Sequence, residues 1–408
     1  MSLTFKRLVA TIPSLMLATI LLGACGSSPQ QYNQPTGIIT GRCSQQFAPV
    51  IKAKSTAQPS SRSVYFVSGV HLYALDAGNG TMRWCMYAMH DNTHLSTLGE
   101  VSSLFTKQGP PPPPDGFSAL TVSNGVVYTC SMNGYTYAFN SATGALLWQH
   151  NTSGANTSAP SVVDGIVYVG SGNIYALNAQ DGSERWKYQT PDVVTSSPVI
   201  VNHVLYAGSY GDRVYALNTA SGAVIWQYNT GGRVYVDPIV AGGNVFFGSG
   251  DDGPSLYAVN AQTGKLIWSN GMRVDSSLAF ANGVLYVGSD NYLYALNPQN
   301  GAMLWRRAVP TTFNTLIANG TLYAASSSGD MYAFNASDGA PLWHTTLNRM
   351  SAGETTTPVL MNGELYVATL DEGTSTSPAI LYALNASNGS EDWNASVNWN
   401  VSSIGVAA

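Results

Sequence analysis

One short pattern occurs eight times along the chain, and it constrains the fold more than any other feature. Each copy begins Tyr-Ala, continues with Leu, Phe or Val and then Asn or Asp, and has a Gly seven residues and a Trp eleven residues after the Tyr. The copies begin at Tyr73, Tyr137, Tyr175, Tyr215, Tyr257, Tyr294, Tyr332 and Tyr382. Successive Trp residues are 64, 38, 40, 42, 37, 38 and 50 positions apart, a period typical of a four-stranded propeller blade and not of a helical solenoid.

Each repeat divides into short segments with strand character. In the copy around Tyr215, four such segments are 197–201, 204–207, 214–217 and 223–228, and they are rich in Val, Ile and Tyr and bounded by Gly and Asn. Pairs such as Asn-Gly between the first two segments favour two-residue hairpin turns, in which both residues need φ > 0. The sequence therefore predicts an all-β fold, an eight-bladed β-propeller of four-stranded antiparallel blades.

The two ends of the repeat region predict how the ring closes. The last repeat is followed by 400–406, which aligns with a first strand that has no blade of its own, whereas the first repeat begins near its second strand at 64–67. Pairing these two segments would join the last blade to the first and remove the sheet edges. The favoured closure is therefore C-terminal, with 48–51 as the rival donor of that strand.

The pattern Ala-x-Asn-x-x-x-Gly-x-x-x-Trp resembles the pyrroloquinoline-quinone (PQQ) type propeller repeat. The resemblance covers about Ser63 to Ala408. It implies that each Trp docks against the neighbouring blade and locks the ring. These residues are Trp84, Trp148, Trp186, Trp226, Trp268, Trp305, Trp343 and Trp393. Eight aromatic residues at one repeat position favour architecture over ligand stacking.

The N-terminus has the order of an export signal. Lys6 and Arg7 precede a largely apolar run that ends in Leu-Gly-Ala-Cys at Cys25. This ending resembles the lipobox of bacterial lipoproteins and implies that Cys25 becomes the lipidated first residue of the mature chain, the alternative being an ordinary secretory signal that contains a Cys. The predicted domains are a signal peptide over 1–24, a lipidated N-terminus and flexible tether over 25–61, and the propeller over 62–408. No later segment reaches 18 uninterrupted apolar residues, so the membrane contact would be the lipid alone.

Three cysteines remain after Cys25, namely Cys43, Cys85 and Cys130. In a chain outside the cytoplasm they allow one disulfide and one remaining thiol. All three pairings stay open at this point.

The charge balance argues against nucleic acid as a partner. The chain has 17 Lys and Arg against 22 Asp and Glu, a net charge of −5, and only 10% of its residues are charged. Binding a polyanion requires a basic stripe that neutralises many phosphates. We therefore expect no nucleic-acid binding.

Candidate binding residues fall on one face of the predicted ring. The loops between the second and third strands and the connections between blades share this face, which we call the loop face. The first group of loops is acidic and contains Asp212, Asp251, Asp252, Asp290, Asp330, Asp371 and Glu372. The connections contain Arg233, Arg273, Asp275 and Arg349, which could bind a carboxylate or a peptide backbone.

The innermost strands predict a polar channel. Aligned on their turns, they give one column of mostly small or polar residues, which comprises Ala119, Ala159, Ser197, Asp237, Ser277, Asn314, Thr357 and Ser402. Asp237 and Asn314 are the members with the most functional chemistry. The alternative is that the column and the nearby Arg residues only solvate a central tunnel and pair with Asp residues.

Two other motifs lack the required context. The stretch 248–253 matches Gly-x-Gly-x-x-Gly, but a predicted strand follows it, where a dinucleotide site needs a helix N-terminus. His90 and His94 stand four residues apart, as in a helical metal site, but the segment around them has no helical pattern. We predict no catalytic residues and no metal site.

Three functions are compatible with this sequence. The first is a non-catalytic, lipid-anchored, monomeric module that binds or scaffolds a protein or polymer of the cell envelope, with no cofactor. Signal, tether and eight blades resemble the lipoprotein component of the outer-membrane β-barrel assembly machinery. The second is a quinoprotein dehydrogenase with PQQ and Ca²⁺, for which Asp237, Asp275 and Asn314 are the candidate residues; the adjacent Cys pair of those enzymes is missing here. The third is an extracellular sensor or carbohydrate-binding propeller.

Overall fold

The computed structural model describes residues 38–43, 48–53, 58–90, 116–154, 158–250, 256–274, 277–309, 312–347, 355–369, 379–397 and 401–407. These residues form thirty-four β-strands. The described part of the chain contains no helix, and so none that could cross a membrane.

The strands follow one another with short connections. They are β1 Ile38–Arg42, β2 Val50–Ala53, β3 Ser63–Ser68, β4 His71–Asp76, β5 Met82–His90, β6 Phe117–Ser123, β7 Val126–Ser131, β8 Tyr135–Asn140, β9 Leu146–Asn151, β10 Ser161–Val163, β11 Ile166–Gly170, β12 Ile174–Asn178, β13 Glu184–Tyr188, β14 Val199–Val201, β15 Val204–Ser209, β16 Arg213–Asn218, β17 Val224–Asn229, β18 Ile239–Ala241, β19 Asn244–Gly248, β20 Leu256–Asn260, β21 Leu266–Asn270, β22 Ala279–Ala281, β23 Val284–Ser289, β24 Tyr292–Leu296, β25 Met303–Ala308, β26 Thr312–Ala318, β27 Thr321–Ser326, β28 Asp330–Asn335, β29 Pro341–Thr346, β30 Val359–Met361, β31 Glu364–Thr369, β32 Ala379–Asn385, β33 Glu391–Val397 and β34 Val401–Ala407.

The strands form eight antiparallel sheets, one for each sequence repeat. Blades 2 to 7 each consist of four consecutive strands, β6–β9, β10–β13, β14–β17, β18–β21, β22–β25 and β26–β29, and blade 8 contains β30–β33. The first and second strands are joined by tight turns with positive φ, for example 49° at Asn124 and 75° at Gly125. The predicted eight-bladed propeller is confirmed. The turns between strands 1 and 2 and between strands 3 and 4 lie opposite the loop face, on what we call the turn face.

The C-terminal strand closes the ring. β34 pairs antiparallel with β3, with Phe66 opposite Ile404, and becomes the innermost strand of blade 1. The favoured C-terminal closure is therefore confirmed. The rival segment around β2 instead pairs with β33, on the outer edge of blade 8.

The segment predicted as a flexible tether, 25–61, contains two strands. β1 pairs with β5 on the outer edge of blade 1, and β2 adds a fifth strand to blade 8. A disulfide joins Cys43 to Cys85, which selects one of the three pairings, and Cys130 is a fully buried thiol. Short β-branched runs such as Ile38-Ile39 and Val50-Ile51 form these strands because each finds an open sheet edge. The predicted tether is thus wrong for 38–42 and 50–53.

Each repeat Trp lies against the next blade. A Cβ placed on the repeat Gly of that blade would fall 2.5–2.9 Å from the indole, so only a glycine permits the contact. The pairs run around the whole ring, Trp84 with Gly144, Trp148 with Gly182, Trp186 with Gly222, Trp226 with Gly264, Trp268 with Gly301, Trp305 with Gly339, Trp343 with Gly389 and Trp393 with Gly80.

Hydrogen bonds complete these contacts between blades. The Trp226 Nε1–H and the Tyr206 hydroxyl both donate to the carbonyl of Ala261, at 2.8 and 3.1 Å. The same shared acceptor recurs at most junctions, and the last blade is bonded to the first in this way through Ala77. Trp305 is an exception, because its buried Nε1 has no acceptor among the described atoms. The hydrophobic core is accordingly divided into clusters that lie between neighbouring blades.

Candidate functional site

The predicted polar column connects neighbouring innermost strands. Ser197 Oγ accepts from the Ala159 N–H at 3.1 Å, and the Ser197 N–H donates to Asp237 Oδ1 at 2.5 Å. Ser277 Oγ accepts from the Thr315 N–H at 3.1 Å. Further along the ring, the Ser402 hydroxyl donates to the Phe117 carbonyl at 3.1 Å. These side chains therefore cross-link the blades around the channel.

Asp237 is the carboxylate of this column. It precedes β18, and its side chain is open to solvent in the channel while the surrounding blades enclose it on all sides. This enclosure removes part of its hydration and raises the pKa of Asp237 to about 6, although the hydrogen bonds from Ser197 act in the opposite direction. Asp237 therefore changes charge close to neutral pH.

The described oxygen donors do not fit a calcium ion. Asp237 lies in blade 5 and Asn314 in blade 7, with blade 6 between them. The Asn314 amide is already bonded at both ends, since its Nδ2 donates to the Thr355 carbonyl at 2.9 Å and its Oδ1 accepts from the Thr357 hydroxyl at 2.9 Å. The third candidate, Asp275, lies outside the described residues. Within the described ranges, no group of three His, Cys, Asp or Glu side chains has metal-site geometry.

An aromatic and cationic cluster lies on the loop face at the junction of blades 4 and 5. We call Tyr210, Arg233 and Tyr235 the loop-face cluster. The Arg233 guanidinium lies 5.4 Å from the centre of the Tyr210 ring, and the Tyr235 ring meets Tyr210 edge-on at 5.4 Å. Arg233 is exposed, and Tyr235 is 41% exposed. The cluster thus presents a cation and two aromatic rings to the exterior.

The backbone around this cluster is tightly fixed. The Gly250 N–H donates to the Arg233 carbonyl at 2.7 Å. A Cβ on Gly250 would lie 2.3 Å from the Tyr235 ring, so the chain of blade 5 passes directly under this tyrosine because it has no side chain there. The connection from blade 4 is therefore held against the next blade, which positions Arg233 and Tyr235 before any partner arrives.

The other candidate residues have separate positions. Arg273 is exposed in the connection between blades 5 and 6. Cys25, Asp251, Asp252, Asp275, Arg349, Asp371, Glu372 and His94 lie outside the described residues.

The acidic loop face predicted from sequence is only partly a surface feature. Asp212 and Asp290 occupy loops with positive φ, but Asp330 is only 4% exposed. Its carboxylate accepts hydrogen bonds from the hydroxyls of Ser328 at 2.6 Å and Thr346 at 2.7 Å. Asp330 is therefore a structural residue of blade 7 and is wrongly placed among the surface acids.

The two discounted motifs have no helix around them in the described residues. Gly248 ends β19, a strand, and His90 ends β5, also a strand. Neither position offers a helix N-terminus to a phosphate or pairs two His side chains on one helical face.

Sequence reasoning missed two partners in the cluster and a pocket on the turn face. Tyr210 and Tyr235 come from different blades, and no repeat position marks them. A pocket of about 320 Å³ lies between blades 5 and 6, lined in part by Phe280, Pro298 and Leu304. The one available signal was Pro298, which stands where the other repeats have Ala, Ser or Thr.

These features define the chain as an eight-bladed propeller of PQQ-type repeats, locked by Trp and Gly pairs and closed by its C-terminal strand. The chain belongs to the family described as Outer membrane protein assembly factor BamB, whose model matches residues 68–200, 171–317 and 312–406. No curated protein matches the chain.

Solved structures share the fold at low sequence identity. BamB from Moraxella catarrhalis superposes with a TM-score of 0.60 at 14% identity, covering 88% of this chain and 100% of that one. A europium-containing methanol dehydrogenase gives 0.57 at 15% identity, covering 75% of this chain and 80% of that one. The computationally designed Ika8 protein gives 0.60 at 13% identity, covering 71% and 90%. An assembly factor, an enzyme and a design thus share this architecture, which by itself does not assign a function.

Proposed function

We propose that the chain is a non-catalytic, lipid-anchored, extracytoplasmic propeller that acts as a monomeric protein-binding or scaffolding module in the cell envelope. The observation that carries this proposal is the loop-face cluster of Tyr210, Arg233 and Tyr235. Tyr and Arg are the residue types that contribute most to protein interfaces, and a prepositioned cluster binds with a smaller loss of side-chain entropy. Membership of the assembly-factor family supports a protein partner in the envelope.

The partner-binding test uses the loop-face cluster directly. A photo-crosslinking amino acid is placed at Tyr235 in cells, and a second variant carries it at Leu342, which is 53% exposed on the outer edge of blade 7. We expect a discrete crosslinked envelope protein from position 235 and none of the same mass from 342. Arg233→Ala combined with Tyr210→Ala should reduce that crosslink at least tenfold while the melting temperature of the purified chain stays unchanged. A crosslink that survives this double variant would place the partner elsewhere.

The lipid anchor is tested separately at Cys25. Its support is the Leu-Gly-Ala-Cys sequence alone. Metabolic labelling with an alkyne-bearing fatty acid should label the full-length chain, and Cys25→Ser should abolish the label and release the protein into the soluble fraction. Cys130→Ala is the matched control and should keep both label and membrane association. Labelling of the Cys25→Ser chain would contradict the anchor.

The quinoprotein alternative retains support from fold likeness to two dehydrogenases. Besides the europium-containing enzyme, the quinohemoprotein alcohol dehydrogenase ADHIIG from Pseudomonas putida HK5 superposes with a TM-score of 0.57 at 14% identity, covering 88% of this chain and 76% of that one. Calorimetric titration of the soluble chain with PQQ and Ca²⁺, separately and together, decides between the two functions. Calcium-dependent micromolar binding that Asp237→Asn weakens would favour the dehydrogenase, and no heat at millimolar ligand would favour the scaffold.

A further inference from the structure

The junction between blades 5 and 6 differs from the others on the turn face. In seven blades the residue after the repeat Asn or Asp donates its N–H to a carbonyl at the turn before strand 2, as Ala261 does to Gly243 and Ala336 does to Gly320, both at 2.9 Å. In blade 6 this residue is Pro298, which has no N–H to donate. The bond to Gly283 therefore cannot form.

The strand pairing opens at the same place. In the other blades the repeat Asn or Asp pairs with the first residue of strand 2, as Asn218 does with Val204 and Asn335 does with Thr321. In blade 6 the pairing stops one step earlier, at Leu285 and Leu296. Losing both links separates the two turns of blade 6, and the pocket of about 320 Å³ lies between them.

The chemistry of this pocket selects an uncharged ligand. Phe280, Pro298 and Leu304 give it apolar walls, and Asn244 and Gln299 add amide groups at its border. None of the lining residues is charged. Such a lining suits a bulky apolar side chain whose own backbone hydrogen-bonds to the amides, and it gives no counter-charge to an acidic or basic group.

The chain itself shows how an extended segment reaches the equivalent place elsewhere in the ring. β2 adds to the outer edge of blade 8, and a few residues later the same segment meets the turn of blade 1. There the Ser60 N–H donates to the Asp76 carboxylate at 2.9 Å, and a Cβ on Gly78 would lie 2.2 Å from the Gln58 carbonyl oxygen. Asp76 holds the repeat position that Asn297 holds in blade 6.

The edge that corresponds to this route is β21, the outer strand of blade 5. No described strand pairs with its outer side. It displays Leu266 and Ile267, which are 48% and 42% exposed. Outer edges of this kind accept an added strand, since β1 and β2 occupy two of them.

We propose that the junction of blades 5 and 6 binds an extended, uncharged segment of a partner protein, which adds a strand to β21 and places a bulky apolar side chain in the pocket at Pro298. This inference rests on the proposed function in one respect, that the ligand is a protein. It assigns a second contact, on the face opposite the loop-face cluster.

The test uses a blocked, uncharged decapeptide, Thr-Val-Thr-Val-Ser-Asn-Gly-Ser-Phe-Ser, with a fluorescent label. Its spacing places Phe five residues after a four-residue strand, as Gln58 follows β2. We expect saturable binding by anisotropy, weakened at least tenfold by Pro298→Ala, which restores the N–H and lets the turns close. Replacing the Phe of the peptide by Ala should weaken binding to the same extent. Unchanged binding in either case overturns the proposal.

A matched pair of rim variants guards against a general effect on folding. Leu304 and Leu342 both precede a repeat Trp and are both 53% exposed, but only Leu304 lines the pocket. Leu304→Asn should weaken the peptide at least fivefold, and Leu342→Asn should change it less than twofold. Equal effects would overturn the assignment of the pocket. If the parent chain ignores the peptide but self-associates in a way that Pro298→Ala abolishes, the occupant is a second copy and the partner-protein assignment is wrong.

The two proposals fail in different ways. Arg233→Ala with Tyr210→Ala removes the crosslink of the loop face and should leave decapeptide binding unchanged. Pro298→Ala removes decapeptide binding and should leave the crosslink from position 235 unchanged. Loss of both in either variant would show that the two faces are not independent contacts and would overturn the second site.

Discussion

At the scale of single residues, the contact between Trp and Gly decides how strongly blades are joined. Gly264 has φ +66°, and a Cβ there would lie 2.8 Å from the Trp226 ring, whereas Gly243 has φ +80° and open space around it. Both Gly→Ala variants force Ala into the left-handed region, at about 1–2 kcal/mol. Gly264→Ala should cost clearly more in urea unfolding, because it also displaces the indole. Equal losses at the two positions would contradict the lock.

The size of the lock can be measured at the same junction. Trp226→Ala should lower the free energy of unfolding by about 3–5 kcal/mol, the usual cost of emptying a large aromatic site. Once the indole is absent, Gly264→Ala should cost no more than Gly243→Ala, since the two changes act on one contact.

Asp237 gives a pH-dependent prediction at the same scale. Because enclosure raises its pKa to about 6 in the folded chain, folding favours its protonated form, and this contribution is complete below pH ~4 and lost as the pH rises through ~6. Asp237→Asn should therefore raise the melting temperature at pH 8 and leave it nearly unchanged at pH 4. His71, whose pKa burial lowers to about 4, titrates in both proteins, so the informative quantity is the difference between them. Asp212→Asn is the control and should give a difference that does not vary with pH.

At the scale of elements, the N-terminal strands and their disulfide form a clasp on the outside of the ring. The bond from Cys43 to Cys85 closes a loop of 42 residues that contains β2 and holds β1 on β5. Closing a loop of this size stabilises by about 4 kcal/mol in the chain-entropy model. Phosphine reduction should lower the melting temperature of the parent and raise amide exchange in β1 and β2. The Cys43→Ala, Cys85→Ala chain should already show both changes and not respond to reductant.

The clasp also shows what the sequence could and could not predict. The blades were predictable because every repeat carries the same Trp, Gly and turn residues, each with a local physical reason. The disulfide was not, since three pairings satisfied the same cysteines. β1 and β2 lie in a Ser-, Pro- and Gln-rich segment, and their strand state depends on open edges that exist only after the blades form. The loop-face cluster and the pocket at Pro298 likewise depend on contacts across blades, which no local pattern encodes.

At the scale of the whole molecule, stability depends on closing the circle. Val401 is fully buried and Ile404 is 8% exposed, and both pack in the cluster shared by blades 1 and 8. A chain that ends at residue 400 would leave β3 as an open edge and expose this cluster. We expect it to melt at a lower temperature and over a broader range than the parent, because blades beside the gap can open without the others.

The missing strand can be returned as a separate molecule, which turns ring closure into a binding equilibrium. A peptide of residues 401–407 should raise the melting temperature of the truncated chain, and the increase should grow with the logarithm of peptide concentration, as for a ligand that binds only the folded state. The same peptide with Ile404→Pro cannot keep its side chain in the cluster or donate at that position, and it should have no effect. The intact parent, whose edge is already paired, should respond to neither peptide. A truncated chain that melts like the parent would show that the tryptophan locks and the N-terminal clasp hold the ring without the eighth junction's inner strand.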